Sequence, residues 1–238
     1  MKLLLLHGWG FDASLWDAMR EELRGFETVV WDRGYFGPAA CVIPDGPFVG
    51  VGHSLGSLLL ALDPPPGCEG LIAINGFDRF TGPGRVPERI VARMQTQFAV
   101  RPEEILSDFR ERVGGGLAPG VFDAERLSMD LQLLAEADAT DSKFQHHPRE
   151  SGKPGPRAVS RGTLGPRFRG DDEFGSSTRP LIPRLVLHGA RDPLLPPEMR
   201  GSAFPGTAHF THPDAGHLLP LTHPRWCAEQ VREVLAWA

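Results

Sequence analysis

Short apolar runs alternate along this chain with longer amphipathic segments, and this alternation restricts the possible folds more than any other feature. It is typical of a parallel sheet flanked by helices, since parallel strands are joined by long crossover connections. The pattern predicts an α/β fold with a mostly parallel sheet. The predicted strands are Lys2–Leu6, Glu27–Trp31, Phe48–Gly52, Leu71–Asn75, Arg184–His188 and Ala208–His212.

Helices are predicted where apolar residues recur at helical spacing. Between Gly37 and Pro47 the chain is too short and too rich in proline and glycine for a crossover helix, so this side of the sheet is expected to be thin. The predicted helices are Ser14–Arg24, Leu55–Leu62, Pro87–Phe98, Pro102–Val113, Asp123–Ala137 and Thr222–Trp237.

A different kind of sequence fills residues 143–179. This segment has six glycines, four prolines and almost no periodicity, and it carries eight Lys or Arg against four Asp or Glu. The rest of the chain is acidic, so the composition and the sign of the charge change sharply here. We interpret the segment as a disordered surface insertion rather than a basic arm that binds nucleic acid.

The chain's length and charge exclude several classes of protein. With 238 residues it fits a single domain, residues 1–238, and its net charge of -5 argues against nucleic acid as a partner. No apolar run approaches the roughly 18 residues of a membrane span, so no membrane association is expected. The three cysteines are widely spaced and odd in number, which favours free thiols in a cytoplasmic protein.

The stretch Gly52-His53-Ser54-Leu55-Gly56 matches G-x-S-x-G, with an apolar strand before it and a helix after it. In such a turn the flanking glycines allow strand and helix to approach closely, and the serine hydroxyl is exposed at the edge of the sheet. The motif alone is a weak signal, and an ordinary turn serine is the alternative. The presence of a base and an acid elsewhere in the sequence decides between a nucleophile and a turn residue.

A nucleophilic serine needs a base, and the base needs an orienting acid. Asp192 in "HGARDPLLPP" follows one predicted strand, and His217 in "DAGHLLPLTHP" follows the next, both where parallel sheets build their sites. The backbone N–H groups of Leu55 and Trp9 are the expected oxyanion donors. The alternatives are a helix cap for Asp192 and a buried structural role for His217.

Metal and cofactor chemistry is not predicted. No pair of histidines shows helical metal-ligand spacing with a third ligand nearby, and His146-His147 lies in the unusual segment. The expected machinery therefore consists of side chains and backbone N–H groups, with no metal and no cofactor.

The sequences "LLLLHGWG", "VGHSLGS", "HGARDPLLPP" and "DAGHLLPLTHP", in this order, resemble the α/β-hydrolase superfamily. Within it, "LLLLHGWGFDASLW" is similar to the bacterial pimeloyl-[acyl-carrier protein] methyl ester esterases of biotin synthesis. The resemblance implies a helical lid over about residues 76–142, a triad of Ser54, Asp192 and His217, and oxyanion donors at Trp9 and Leu55. It also implies a small acyl-ester substrate carried on acyl carrier protein.

Other functions remain open at this point. A general short-chain carboxylesterase, or a lyase-type relative with an arginine-bound acidic substrate, would keep the triad and change the substrate. A non-catalytic hydrolase-fold binding protein would use the fold without the chemistry, and a degraded copy carrying an insertion would have lost function. The lid arginines would dock an acidic carrier, but acidic residues are interspersed among them, which favours a solvated face with salt bridges.

Overall fold

The computed structural model describes residues 1–140 and 182–236. The predicted insertion at 143–179 lies outside the described residues. The strands are β1 (Lys2–Leu6), β2 (Glu27–Trp31), β3 (Phe48–His53), β4 (Cys68–Ile74), β5 (Ile182–Gly189) and β6 (His209–His212). They form one parallel sheet in the order β2-β1-β3-β4-β5-β6. This confirms the predicted parallel sheet and the place of each predicted strand.

The helices flank this sheet. They are α1 (Asp17–Glu22), α2 (Leu55–Leu62), α3 (Glu88–Phe98), α4 (Pro102–Val113), α5 (Ala124–Glu136), α6 (Pro197–Ser202), α7 (Leu219–Thr222) and α8 (Pro224–Ala236). The sequence predictions matched α2 and α4 to the residue, but they missed the short helices α6 and α7.

The apolar run of β1 explains why this strand lies inside the sheet. Leu4 and Leu6 face one hydrophobic cluster, with α2 and the helices α3 to α5. Leu3 and Leu5 face the opposite cluster, with α1, α7 and α8. Successive side chains of a strand point to opposite faces, so a run of four leucines fits a strand with helices on both sides.

The strand order places a topological switch between β1 and β3, the second and third strands across the sheet. From β1 the chain moves outward to β2, and then returns to β3 on the other side of β1. In open parallel sheets the crevice at such a switch, at the carboxyl ends of the strands, is where ligands bind. The loop after β1 and the turn after β3 meet at this crevice.

Two local predictions about the first third of the chain have different outcomes. The connection from β2 to β3 contains no helix, as predicted, and the residues of β2 remain partly exposed. The predicted single helix Ser14–Arg24 was wrong in detail. It divides into a 3-10 turn, Ala13–Trp16, in which the Asp12 carboxylate accepts from the Ser14 N–H group, and the α1 helix.

Helices α3, α4 and α5 lie between β4 and β5 in the chain, and we call them the lid helices. They pack on one another and contribute Phe98 and Phe109 to the packing around Trp9, with edge-to-face ring distances of 5.7 and 4.8 Å. None of the helices in the described ranges combines the length and apolarity needed to cross a membrane.

Candidate active site

Ser54 sits on the sharp turn between β3 and α2, as the motif predicts. Its backbone has φ 51° and ψ -120°, a region that side-chain-bearing residues rarely occupy. Its N–H group donates a hydrogen bond to the Ile74 carbonyl of the neighbouring strand, at 3.0 Å. The strained turn is therefore held in place by the sheet, and Ser54 stands at the carboxyl end of β3.

The glycines on either side of Ser54 are needed because the backbones approach closely. A Cβ atom at Gly56 would lie 2.2 Å from the Leu6 carbonyl oxygen, and one at Gly52 would lie 2.4 Å from backbone atoms of Ser57. Real Cβ atoms do not approach backbone so closely. The spacing of the motif thus allows α2 to begin directly against β1 and β3.

Asp192 and His217 lie side by side, as their positions after β5 and β6 suggest. The Nδ1 atom of His217 is 2.8 Å from Oδ2 of Asp192, and both side chains are buried. Because the carboxylate only accepts, Nδ1–H is the donor, which leaves Nε2 free to act as a base. This pairing matches the geometry expected of a base and its orienting acid.

The Asp192 carboxylate is saturated with donors. Its Oδ1 atom accepts from the backbone N–H groups of Leu194 at 2.8 Å and Leu195 at 3.2 Å, and its Oδ2 atom accepts from His217 and from the Asn75 amide. Burial alone would raise the pKa of Asp192, but His217 and these hydrogen bonds lower it to about 2. The acid is therefore ionised throughout the physiological range.

In this structure Nε2 of His217 is buried without a hydrogen-bond partner among the described residues, so the hydrogen bond from the Ser54 hydroxyl to this nitrogen is not formed. The residue next to Ser54 nevertheless contacts His217: the His53 Nε2–H donates to the His217 carbonyl at 2.9 Å, and the two rings are 5.0 Å apart. Catalytic hydrogen bonds are often loose before substrate binds. The three side chains share one buried region at the carboxyl edge of the sheet.

The loop after β1 lies directly over Ser54. A Cβ atom at Gly8 would lie 2.9 Å from the Ser54 Cβ atom, so this loop contacts the turn. The next residue, Trp9, is buried, and its indole N–H donates to the Leu127 carbonyl at 2.8 Å. Leu55 is the first residue of α2, where helices leave N–H groups without an intrahelical acceptor. Both predicted oxyanion residues thus flank Ser54.

Two buried polar groups near the site were missed by the sequence analysis. Asn75, taken there as the last residue of a strand, instead leaves β4 with φ 46° and reaches Asp192. The Asp130 carboxylate of α5 accepts hydrogen bonds from Nε and Nη2 of Arg33 and from the Tyr35 hydroxyl. Asn75 after an apolar run at a strand end was a possible signal, because asparagine favours such a backbone. A carboxylate on a lid helix gave none.

His7 and His53, two further histidines near Ser54, hydrogen-bond to backbone groups of the surrounding loops. His7 accepts the Arg33 N–H at Nε2, at 2.9 Å, so its Nδ1–H donates to the Gly8 carbonyl. Burial, together with His217, lowers the pKa of His53 to about 3, so that ring is neutral. Within residues 1–140 and 182–236, no three His, Cys, Asp or Glu side chains group as a metal site requires.

Comparison with protein families gives a near-full-length match. Residues 3–230 match the family described as "Alpha/beta hydrolase family". Together with the parallel sheet, this confirms the predicted α/β-hydrolase fold.

Among curated proteins, the chain is 28% identical over 254 residues to a pimeloyl-[acyl-carrier protein] methyl ester esterase of Pectobacterium atrosepticum, covering 96% of this chain and 92% of the relative. It is 27% identical over 257 residues to the protein of the same name from Vibrio campbellii, covering 98% and 94%. These relatives agree with the resemblance seen in the sequence motifs.

Solved structures support the fold. An esterase from Exiguobacterium antarcticum superposes with a TM-score of 0.70 at 13% identity, covering 99% of this chain and 92% of the other. A thermophilic esterase from Thermogutta terrifontis gives a TM-score of 0.66 at 20% identity, covering 99% and 89%. At such identities the likeness concerns the fold alone.

Proposed function

The chain belongs to the alpha/beta hydrolase family, and from that premise we propose that it is a serine carboxylic-ester hydrolase with Ser54, Asp192 and His217 as its triad. The observation that carries the proposal is the buried 2.8 Å pair of Asp192 and His217, which lies in the same region as a serine on a strained strand-to-helix turn. A purely structural role would not need all three features together.

The mechanism follows from the roles of these groups. His217 Nε2 takes the proton of the Ser54 hydroxyl, and the serine oxygen attacks the acyl carbon of the ester. The backbone N–H groups of Trp9 and Leu55 stabilise the oxyanion. The alcohol leaves with the proton from His217, and water, activated by the same imidazole, then hydrolyses the acyl-enzyme. Asp192 holds the histidine tautomer and stabilises the imidazolium, and no cofactor takes part.

The proposed substrate is the methyl ester of pimeloyl-acyl carrier protein. Two curated relatives that match almost the whole chain carry this activity in their names. On the lid helices, Arg89 and Arg93 are exposed on one side of α3, and neither forms a salt bridge with any described residue. Free basic side chains there suit docking of an acidic carrier protein.

The lid helices are proposed to cover the site within a single domain. The Ser54 side chain and the Asp192–His217 pair are buried, and Trp9 beneath the lid is only 2% exposed. The protein is proposed to act in the cytoplasm. Its three cysteines, Cys41, Cys68 and Cys227, are free thiols, which suits a reducing compartment.

The test is a comparison of substrates with the purified protein and its Ser54→Ala variant. Hydrolysis of the carrier-bound methyl ester that disappears in the variant supports both the triad and the substrate. Hydrolysis of a short-chain aryl ester alone keeps the triad and makes the chain a general carboxylesterase. If folded protein cleaves neither ester, the enzymatic proposal is wrong.

A further inference from the structure

Asn75 is a buried amide at the centre of the candidate site that the proposed mechanism does not use. It follows the last residue of β4, and its side chain is inaccessible to solvent. Its N–H group donates to the Leu187 carbonyl of β5 at 2.7 Å, and its φ of 46° turns the side chain out of the strand. Asparagine is one of the few side-chain-bearing residues that adopt this backbone readily.

The two hydrogens of this amide go to two different parts of the site. Nδ2 lies 2.6 Å from Oδ2 of Asp192 and 3.3 Å from the carbonyl oxygen of Gly216, the residue before His217. Both partners are acceptors, so the nitrogen and not the oxygen of the amide must face them. One NH₂ group thus joins the acid to the loop that carries the base.

The other end of the amide shows that this arrangement has a cost. Oδ1 of Asn75 is buried and has no hydrogen-bond partner among the described residues. A buried acceptor without a hydrogen bond destabilises the fold, and an apolar side chain at position 75 would not introduce such an acceptor. The side chain is therefore better explained by what its two donors do than by its contribution to folding.

We infer that Asn75 is a positioning residue of the triad: it holds the Asp192 carboxylate and the His217 loop at one fixed separation through the two hydrogens of its amide. The inference rests on the proposed function. Among the described residues, Oδ2 of Asp192 has two donors, His217 Nδ1 and Asn75 Nδ2. Without Asn75, the histidine is the one described donor that remains on Oδ2, and the hydrogen bond that joins the Asn75 amide to the Gly216 carbonyl is lost.

Other charged and titratable groups also lie near Asp192, and they contribute to the pH dependence of activity in wild type and variants alike. Arg200 of α6 donates to the Asp192 carbonyl at 3.5 Å. His53 at the end of β3 and His188 in β5 interact electrostatically with the carboxylate. None of these side chains donates to Oδ2. Within the described ranges, the titratable or charged groups that interact with Asp192 are thus His217, His53, His188 and Arg200.

The first test is Asn75→Gly, which removes the amide and retains a residue suited to positive φ. Loss of one hydrogen bond to a charged group corresponds to a fall in kcat of about 10-fold to 100-fold on the aryl or carrier-bound ester. KM is expected to change little, because the Asn75 side chain is inaccessible to solvent and so does not contact a bound substrate directly. A kcat within about twofold of wild type would overturn the inference.

The second test is Asn75→Asp, which has the same shape and the same backbone preference but replaces the donor with an acceptor. Two carboxyl groups at this distance share a proton, and the protonated partner can still donate. We expect kcat/KM of this variant, relative to wild type, to fall as the pH rises and the shared proton is lost, because the deprotonated pair has no donor for Oδ2 of Asp192 and its two carboxylates repel each other. A constant fraction of wild-type activity at every pH would contradict a donor role.

Ser54→Ala, measured in parallel, separates the two levels of the argument. If Ser54→Ala retains full activity, the proposed triad fails. If Ser54→Ala is inactive and both Asn75 variants behave as wild type, only the positioning role fails. Should Asn75→Gly not fold, the pH profile of the isosteric Asn75→Asp decides the question.

Discussion

The indole nitrogen of Trp9 donates a 2.8 Å hydrogen bond to the carbonyl of Leu127, which lies 118 residues further along the chain. This bond joins the loop over Ser54 to lid helix α5. The same loop is also held from α4, where Arg110 donates to the Gly10 carbonyl at 2.6 Å and stacks over Phe11. The position of the proposed oxyanion donor therefore depends on the lid.

Trp9→Phe is expected to weaken this link while keeping an aromatic ring in place. The matched control is Trp16→Phe, since Trp16 is equally buried but its indole nitrogen has no partner among the described residues. Trp9→Phe should cost about 1 to 3 kcal/mol more of the free energy of unfolding than the control. Urea unfolding measures this difference.

The same pair of variants separates stability from catalysis. Because a displaced loop moves the oxyanion donor, kcat should fall about 10-fold or more in Trp9→Phe, and it should remain near wild type in Trp16→Phe. Equal effects of the two substitutions on both stability and kcat would contradict a role for the Trp9–Leu127 bond.

Asp130 anchors α5 to the loop after β2. Its side chain is 1% exposed and accepts hydrogen bonds from the Arg33 guanidinium and from the Tyr35 hydroxyl. Burial and the neighbouring Asp130 carboxylate together raise the pKa of Tyr35 well above its ordinary value. Asp130→Asn leaves a half-buried guanidinium without its anion, so the expected loss is about 3 to 5 kcal/mol. The exposed pair Arg101–Glu104 is the control, and Glu104→Gln should cost less than about 1 kcal/mol. Comparable losses for the two variants would refute the anchoring role.

Gly56 is predicted to be the least replaceable glycine of the turn. A methyl group there would meet the Leu6 carbonyl at 2.2 Å, so Gly56→Ala must push α2 away from β1. We expect the free energy of unfolding to fall by about 3 kcal/mol or more, together with loss of esterase activity.

Gly201→Ala is the matched control, since no neighbouring group lies within 4 Å of its added carbon. Being in a helix, it should be neutral or stabilising by about 0.5 to 1 kcal/mol. Thermal unfolding of the two variants checks both expectations.

Acid should destabilise the fold through its buried histidines. Burial, with His209 nearby, lowers the pKa of His188 to about 4 from 6.5, and His53 is lowered to about 3. The unfolded chain binds these protons first, so the free energy of unfolding falls as the pH drops from about 6.5 toward 4, with a slope of up to about 1.4 kcal/mol per pH unit for each group. Asp192 adds to the loss below its unfolded value of 3.8.

His188→Leu tests this pH dependence. Neither ring nitrogen of His188 has a hydrogen-bond partner among the described residues, so the substitution breaks no such bond. Relative to wild type, the variant should become more stable as the pH falls from 6.5 to 4.5, as measured by urea unfolding at each pH. An advantage that does not grow in acid would mean that His188 does not contribute to the slope.

Much of this architecture was predictable because β1 to β4 and the helices between them are encoded locally. The apolar runs predict where the strands lie, and the glycines around Ser54 predict where β3 ends and α2 begins. The positions of Ser54, Asp192 and His217 after successive predicted strands indicated which strand ends would lie together. Short elements such as α7 were missed, since Leu219–Thr222 is one turn with a proline in it. Asn75 was missed for a different reason. An asparagine at the end of an apolar run indicates the change in backbone direction, but its hydrogen bond to Asp192 depends on the register that sets β4 beside β5.

The most direct test of the proposed triad is covalent labelling of the native protein with a fluorophosphonate, followed by peptide mass spectrometry. A serine made nucleophilic by a neighbouring base reacts with this electrophile, whereas an ordinary hydroxyl does not. We predict a single label on Ser54 that is lost in His217→Ala and strongly slowed in Asp192→Asn. Failure of the folded wild-type protein to label at Ser54, or undiminished labelling in His217→Ala, would contradict the triad.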